Sequence, residues 1–298
     1  MLTNVSGVLK LTGVLLLAAL VPAGVVPACR PLQRCNLHVS LCDKAFDEVS
    51  YPTTHNAMSN FDEGWVGANQ EHGITRQLED GVRALMLDTH YNLGDLTSPD
   101  APTDVALLCH GYCMFGWERL SDGLAKIKVF LDAHPDEVVT IIFETYVTPA
   151  DTKAAFDLSG ASSLVATHVP GQPWPTLRQM IAANQRLVVM TDSGGGTYPW
   201  YLPVWDESFD NPYSAEQPSD LSCDLNRGNG ANRLFIFNNF LTDIVGRREF
   251  ADQVNFNPEL LAHAQDCQDV RGHLPNFVTV DFYDRGDMLD VVDTLNGY

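Results

Sequence analysis

Several short apolar runs in this chain end in side chains that can do chemistry. His55 and Asn56 close VSYPTTHN, and Asp88 and His90 close ALMLDTHY. His110 lies in VALLCHG, Glu144 in VVTIIFETY and Asp192 in RLVVMTDS, while Asn238 and Asn239 lie in LFIFNNF and Asp281 in FVTVDFY. Taken alone, His55 beside Asn56 is either a general base next to a metal ligand or a buried imidazole capped by a turn amide. The recurrence of polar ends along the chain favours a site over isolated structural residues. Two histidines suffice to cleave a phosphodiester: a neutral imidazole accepts a proton from the attacking hydroxyl, and a protonated one donates to the leaving oxygen. Asn56, Asp88 and Glu144 offer hard oxygen donors that suit Ca²⁺ or Mg²⁺ rather than zinc, and such a cation would offset phosphate charge. No G-x-S-x-G elbow, P-loop or dinucleotide fingerprint occurs, and DSGGGT reads as a turn.

The elements that must position these residues are legible as runs of β-branched and apolar residues. Eight such runs occupy 49–56, 84–91, 105–111, 138–146, 164–169, 186–193, 234–240 and 277–283. Most are continuous rather than alternating, as in strands covered on both faces. Amphipathic helices are expected at 74–82, 121–135, 176–184 and 257–267, the second behind a Ser/Asp cap and stopping at Pro135. Strands alternating with helices predict an α/β fold, an irregular TIM (β/α)8 barrel in a single domain. In such a barrel the residues named above share the carboxyl ends of the strands, where barrel active sites are built. The polar stretch 194–230 is expected to be a loop over one end of the barrel.

Composition bounds the partners. The chain has 298 residues, 45% hydrophobic, with a formal net charge of -20. That charge, with no basic cluster, speaks against nucleic acid and against adhesion to an anionic membrane; membrane contact is expected only through the substrate or an anchor. Lys10 followed by the apolar run 11–28 reads as a signal peptide over 1–28. Cys29 behind Ala28 either marks a lipoprotein processing site or is removed or unpaired. An exported protein places its cysteines in an oxidising compartment, and proximity pairs Cys35 with Cys42, Cys109 with Cys113 and Cys223 with Cys267, leaving Cys29 over.

The ordered motifs THN, GVRALMLD, CHG and IIFE resemble the catalytic X region of phosphatidylinositol-specific phospholipases C. The phrases LCDKAFDEVSYPTTHNAM, NQRLVVMTD and LPNFVTVDFYDRGD resemble secreted, phospholipase C-like phosphodiesterases of bacteria and fungi. The resemblance spans 35–298 and implies an irregular TIM barrel. It further implies His55 as general base, His110 as general acid and Asp281 as the carboxylate that orients His55. Arg83 matches an arginine of the second-strand motif, or else forms an ion pair at the base of the barrel. Asn56, Asp88 and Glu144 match the ligands of calcium-dependent members, but Met86 stands where those members have another acidic ligand. The expected function is that of an exported, monomeric phosphoric diester hydrolase acting on a phosphodiester lipid or glycosyl-phosphoinositol. The alternatives are a glycerophosphodiester phosphodiesterase, whose strand-one HRG pattern and E-x-D pair are missing here, and a non-catalytic surface binding protein on the same barrel.

Overall fold

A computed structural model describes residues 1–3, 33–94, 97–243 and 245–298; the expected signal peptide beyond residue 3, and Cys29, lie outside the described residues. Among the described residues ten strands form, in chain order: β1 Tyr51–Thr54, β2 Ala84–His90, β3 Leu107–Leu108, β4 Glu118–Arg119, β5 Val139–Thr145, β6 Leu187–Thr191, β7 Tyr201–Pro203, β8 Ser208–Asp210, β9 Leu234–Asn238 and β10 Phe277–Val280. Eight of them run side by side in the order β7-β6-β5-β2-β1-β10-β9-β8, and every pairing along that path is parallel. Helices α1 Ile74–Glu79, α2 Leu120–Ala133, α3 Pro149–Ser159, α4 Leu177–Ala182, α5 Val204–Glu207, α6 Arg248–Val254, α7 Glu259–Arg271 and α8 Met288–Asn296 complete the elements. The result is the expected single-domain α/β barrel, a curled sheet that stays open between β7 and β8.

The opening has a simple cause. Neighbouring parallel strands need a crossover of a dozen or more residues, and α5, a single turn, is all that separates β7 from β8. Both strands come from the polar stretch expected to be a loop, so that expectation is corrected. Two other expected strands are lost from the barrel. The run at 164–169 makes only an isolated bridge between Val165 and Leu187; Pro170 follows it, and His168 is engaged by Glu207 and Trp174 instead. The run at 105–111 yields β3, which pairs antiparallel with the end of β2 and with β4. Helix α2 begins at Leu120, with Ser121 and Asp122 in its first turn and no side-chain cap.

Side-chain alternation along the parallel strands explains how the barrel positions a site. Successive strand residues point to opposite faces. Leu85, Leu87, Phe143, Val189, Phe237 and Val280 pack with helix residues such as Leu124, Phe156 and Val291 in one buried cluster. Their neighbours Ala84, Ile142, Val188, Met190, Ile236 and Phe277 belong to a second cluster, which fills the barrel interior. Continuing that inward series by twos reaches Asp88 in β2, Glu144 in β5, Asp192 after β6, Asn238 in β9 and Asp281 after β10. In β1 the same count from Tyr51 reaches His55. The last inward position of each long strand is polar, and these positions form one ring at the carboxyl rim.

Candidate active site

His55 and Asp281 meet because of strand register. Thr54 pairs with Val280 across β1 and β10, and the His55 amide donates to Val280 O at 3.0 Å. The next residue of each strand is therefore adjacent to the other, and His55 Nδ1–H donates to Asp281 Oδ1 at 2.9 Å. Asn69 Nδ2 donates to Asp281 Oδ2 at 3.0 Å, so both carboxylate oxygens are held. Asn56 Nδ2 donates to His55 Nε2 at 3.2 Å, which assigns the proton to Nδ1 and leaves Nε2 as the acceptor. The imidazole lies against Phe240, with ring centroids 4.0 Å apart and planes 9° apart. Immediately after the pair, Asn56 and Phe282 take left-handed conformations, φ 47° and 46°, and turn both chains away from the rim.

His110 comes from a different device. Cys109 follows β3, its amide donates to Asp88 O at 3.2 Å, and the Cys109–Cys113 disulfide closes the loop around His110. Gly111, with φ 67°, makes the tight turn that this closure requires, a conformation that costs glycine little. Burial foremost, and then the nearby His55, push the His110 imidazole down to about 4, against the opposing pull of Asp281 and Glu144. The imidazole is neutral at pH 7 in the ligand-free chain.

His55, Asn56, His110 and Asp281 line the outer lobe of a cleft, about 280 Å³ in volume, together with Asp88, His90, Glu144 and Tyr146. An inner lobe of about 110 Å³ runs into the barrel past Met86, Asp192, Arg227 and Asn238. Asp88 and Glu144 are register partners on β2 and β5; one residue on from the Phe143–Thr191 pair come Glu144 and Asp192. Burial first, and then Glu144 and Asp192, hold the Asp88 carboxyl well above the usual carboxylate range. Asp192 is raised as well, chiefly by burial, although Thr145 N donates to its Oδ1 at 2.9 Å. Tyr146 OH donates to Glu144 Oε1 at 2.5 Å and stacks on His90.

Asn56, Asp88 and Glu144 are the residues that could hold a divalent cation. Asp88 is 8% exposed, and no hydrogen bond to its carboxylate occurs among the described residues. Two further carboxylates raise the local negative potential, and the donors are the hard oxygens such a cation takes. They stand spread around the cleft rather than collapsed on one point. Among the described residues, the group whose ligating atoms lie within 4.8 Å of one another is Cys223, His263 and Cys267, and its two sulfurs form a disulfide.

Three of the disulfides expected from proximity are present: Cys35–Cys42, Cys109–Cys113 and Cys223–Cys267. Arg83 is corrected. It precedes β2 by one residue, at the opposite end of the barrel, where its Nε donates to Glu137 Oε2 at 2.7 Å, its Nη1 donates to Leu78 O and Val82 O, and it is 4% exposed. It belongs to the barrel base and not to the cleft. Asn239 also points away, its amide donating to Val254 O and accepting from His263, whereas Asn238 faces the inner lobe. Asn69, Tyr213 and Arg227 line the cleft without a signal in the sequence, because they sit on irregular segments with no periodicity to place them.

A family model described as PI-PLC X 1 matches residues 41–296. A PI-PLC X domain-containing protein 1 of Arthroderma benhamiae is 29% identical, over 95% of this chain and 95% of its own. A PI-PLC X domain-containing protein of Arabidopsis thaliana is 30% identical over 85% of this chain, which spans 62% of that protein's length. Among solved structures, a phosphatidylinositol-specific phospholipase C from Listeria monocytogenes matches with a TM-score of 0.57 over 86% of this chain and 96% of its own, at 13% identity. Likeness at that identity concerns the fold.

Proposed function

Since the chain belongs to the PI-PLC X family, we propose that it is a phosphoric diester hydrolase of the phospholipase C type, cleaving a phosphoinositide, glycosyl-phosphoinositol or related diester. The observation that carries this reading is the His55–Asp281 pair, 2.9 Å apart, with His55 and His110 lining one lobe of one cleft. In the first step, Nε2 takes the proton of a ring hydroxyl next to the phosphate, displacing the Asn56 amide from that nitrogen. The freed oxygen attacks phosphorus, and His110 gives its proton to the leaving alkoxide, closing a cyclic phosphate. In the second step His110 takes a proton from water, the hydroxide opens the ring, and His55 returns its proton to the ring oxygen. Asp281 holds Nδ1–H throughout and stabilises the imidazolium that forms.

His110 starts neutral, so the substrate must supply what the acid role lacks. A diester anion beside a buried imidazole favours its charged form and draws a proton onto it. Asn56, Asp88 and Glu144 are the residues that would hold Ca²⁺ or Mg²⁺; when bound, the ion supplies positive charge against the phosphate oxygens. Met86 lies one inward position deeper than Asp88, among the residues of the interior cluster, and adds no ligand. Export is supported by three disulfides, which persist in oxidising compartments. The test is incubation of the mature protein with a soluble inositol phosphodiester, in calcium and in chelator. Turnover in calcium that chelator abolishes supports both parts of the reading. Equal turnover in both removes the cation, and absence of turnover on any diester removes the hydrolase.

A further inference from the structure

Away from the cleft, a histidine nitrogen on α7 is buried without a partner. His263 stands four residues before Cys267, on the same face of that helix. Cys267 is bridged to Cys223, which lies on the irregular segment after β8. The two sulfurs and an imidazole nitrogen of His263 lie within 4.8 Å of one another. His263 Nδ1–H donates to Asn239 Oδ1 at 2.7 Å. Asn239 Nδ2 donates in turn to Val254 O at 2.9 Å, which fixes that amide with its oxygen toward the ring. The proton therefore sits on Nδ1, and Nε2 carries a lone pair. That Nε2 is buried and makes no hydrogen bond. Phe237 packs on the imidazole, with ring centroids 4.7 Å apart, so packing and a hydrogen bond together set the ring's orientation.

A buried acceptor without a donor is costly, and an ion is one of the things that relieve it. The surroundings are those of a metal-ligating histidine: one ring nitrogen donates to a fixed oxygen, as such ligands do, and two sulfurs accompany the ring. Two thiolates and a neutral imidazole suit a thiophilic cation such as Zn²⁺, with a fourth position left to water. The donors are the opposite of the hard oxygens in the cleft. While the sulfurs are bonded to each other they are not thiolates, and the site is closed. We propose that Cys223, His263 and Cys267 form a redox-gated site for a thiophilic divalent cation, shut as a disulfide and opened by a dithiol reductant. In the opening step a thiolate of the reductant attacks one sulfur, the S–S bond breaks, and the second thiol of the reductant resolves the mixed disulfide. Two electrons and two protons pass to the chain, and the reductant leaves as a disulfide. Cation binding then releases one proton from each thiol, while His263 gives its lone pair without losing a proton. The bound ion takes over from the broken bridge, so α7 stays tied to the stretch between Tyr213 and Arg227 that carries Cys223.

The experiment is spectroscopic titration of the mature protein with Co²⁺, in excess calcium and without air, before and after reduction by a phosphine; Zn²⁺ then displaces the Co²⁺. The expected result is a thiolate-to-Co²⁺ charge-transfer band in the reduced protein and none in the oxidised protein. Reduction should also lower the thermal midpoint, and Zn²⁺ should restore it. His263→Gln should weaken binding by at least about 10-fold, and Asn239→Ala by about 10- to 100-fold through the loss of its hold on the ring. Cys223→Ser/Cys267→Ser should abolish the band although the other cysteines are still reduced. A band that survives in that double variant overturns the proposal, as does unchanged affinity in His263→Gln or absence of the band in reduced, folded wild type. If circular dichroism shows that reduction unfolds the chain, Cys223→Asp is titrated with Zn²⁺ instead. That variant needs no reductant, keeps the other two disulfides, and presents a carboxylate, an imidazole and a thiolate. Uptake of Zn²⁺ that is lost on adding His263→Gln supports the site, and folded Cys223→Asp that takes up none overturns it.

Discussion

His55 and Asp281 each stand one residue past a register pair of adjacent parallel strands, and that register brings Nδ1 within 2.9 Å of the carboxylate. The pairing fixes the tautomer in which Nε2 carries the lone pair. Asp281→Asn preserves shape, but its amide can donate to Nδ1 and shift the ring proton to Nε2, where it blocks base catalysis. The expected loss in kcat is about 10²- to 10⁴-fold with little change in KM. Steady-state kinetics on a soluble inositol diester checks it, and a variant with unchanged kcat would remove Asp281 from the account.

Arg83 and Glu137 make the opposite prediction. Both are buried at the base of the barrel, so Arg83→Met leaves an uncompensated carboxylate and should cost about 3–5 kcal/mol of stability. The kcat of the folded fraction should stay near wild type. Urea unfolding with parallel kinetics decides, and Arg83→Met/Glu137→Leu should recover most of the stability. A stable but inactive Arg83→Met would return this residue to the catalytic set.

The disulfides should separate by consequence. Cys109–Cys113 spans 4 residues and Cys223–Cys267 spans 44, so loop-closure entropy assigns them about 2 and about 4 kcal/mol. Replacing Cys109 and Cys113 by Ser should depress kcat far more than thermal stability, because that loop aims His110. Replacing Cys223 and Cys267 by Ser should do the reverse.

Acid sensitivity follows from two imidazoles. Burial holds His110 and His263 down to about 4, against the ordinary histidine value of 6.5. Between those values the unfolded chain binds more protons than the folded one. The contribution is therefore intact above about pH 6.5 and lost as pH falls toward 4, on the order of 3 kcal/mol for each group. His263→Gln should flatten the dependence of the urea midpoint on pH in that window; an unchanged slope would contradict the burial argument.

The ring at the carboxyl rim was legible in the sequence because Asp88, Glu144, Asp192 and Asn238 fall near the carboxyl ends of runs whose earlier members are plainly apolar. The strand count reached eight by a different membership, since β7 and β8 arise from polar, aromatic and proline-bearing sequence that gives no strand signal. His110 was legible as a residue but not as a loop residue, because a disulfide, rather than a strand, sets its place. Arg83 misled because a motif position carries no information about which end of the barrel it occupies. Asn69 and Arg227 reach the cleft through tertiary contacts on irregular segments, and local pattern cannot express that.

The division of labour between His55 and His110 is tested most directly by varying the leaving group. Two inositol phosphodiesters, one with an alkyl and one with a p-nitrophenyl leaving group, are compared in wild type, His55→Ala and His110→Ala. A nitrophenolate departs without a proton, so His110→Ala should lose about 10²- to 10⁴-fold on the alkyl ester and far less on the nitrophenyl ester. His55→Ala should lose heavily on both. Equal losses on the two esters for His110→Ala would contradict the assignment of His110 as the general acid.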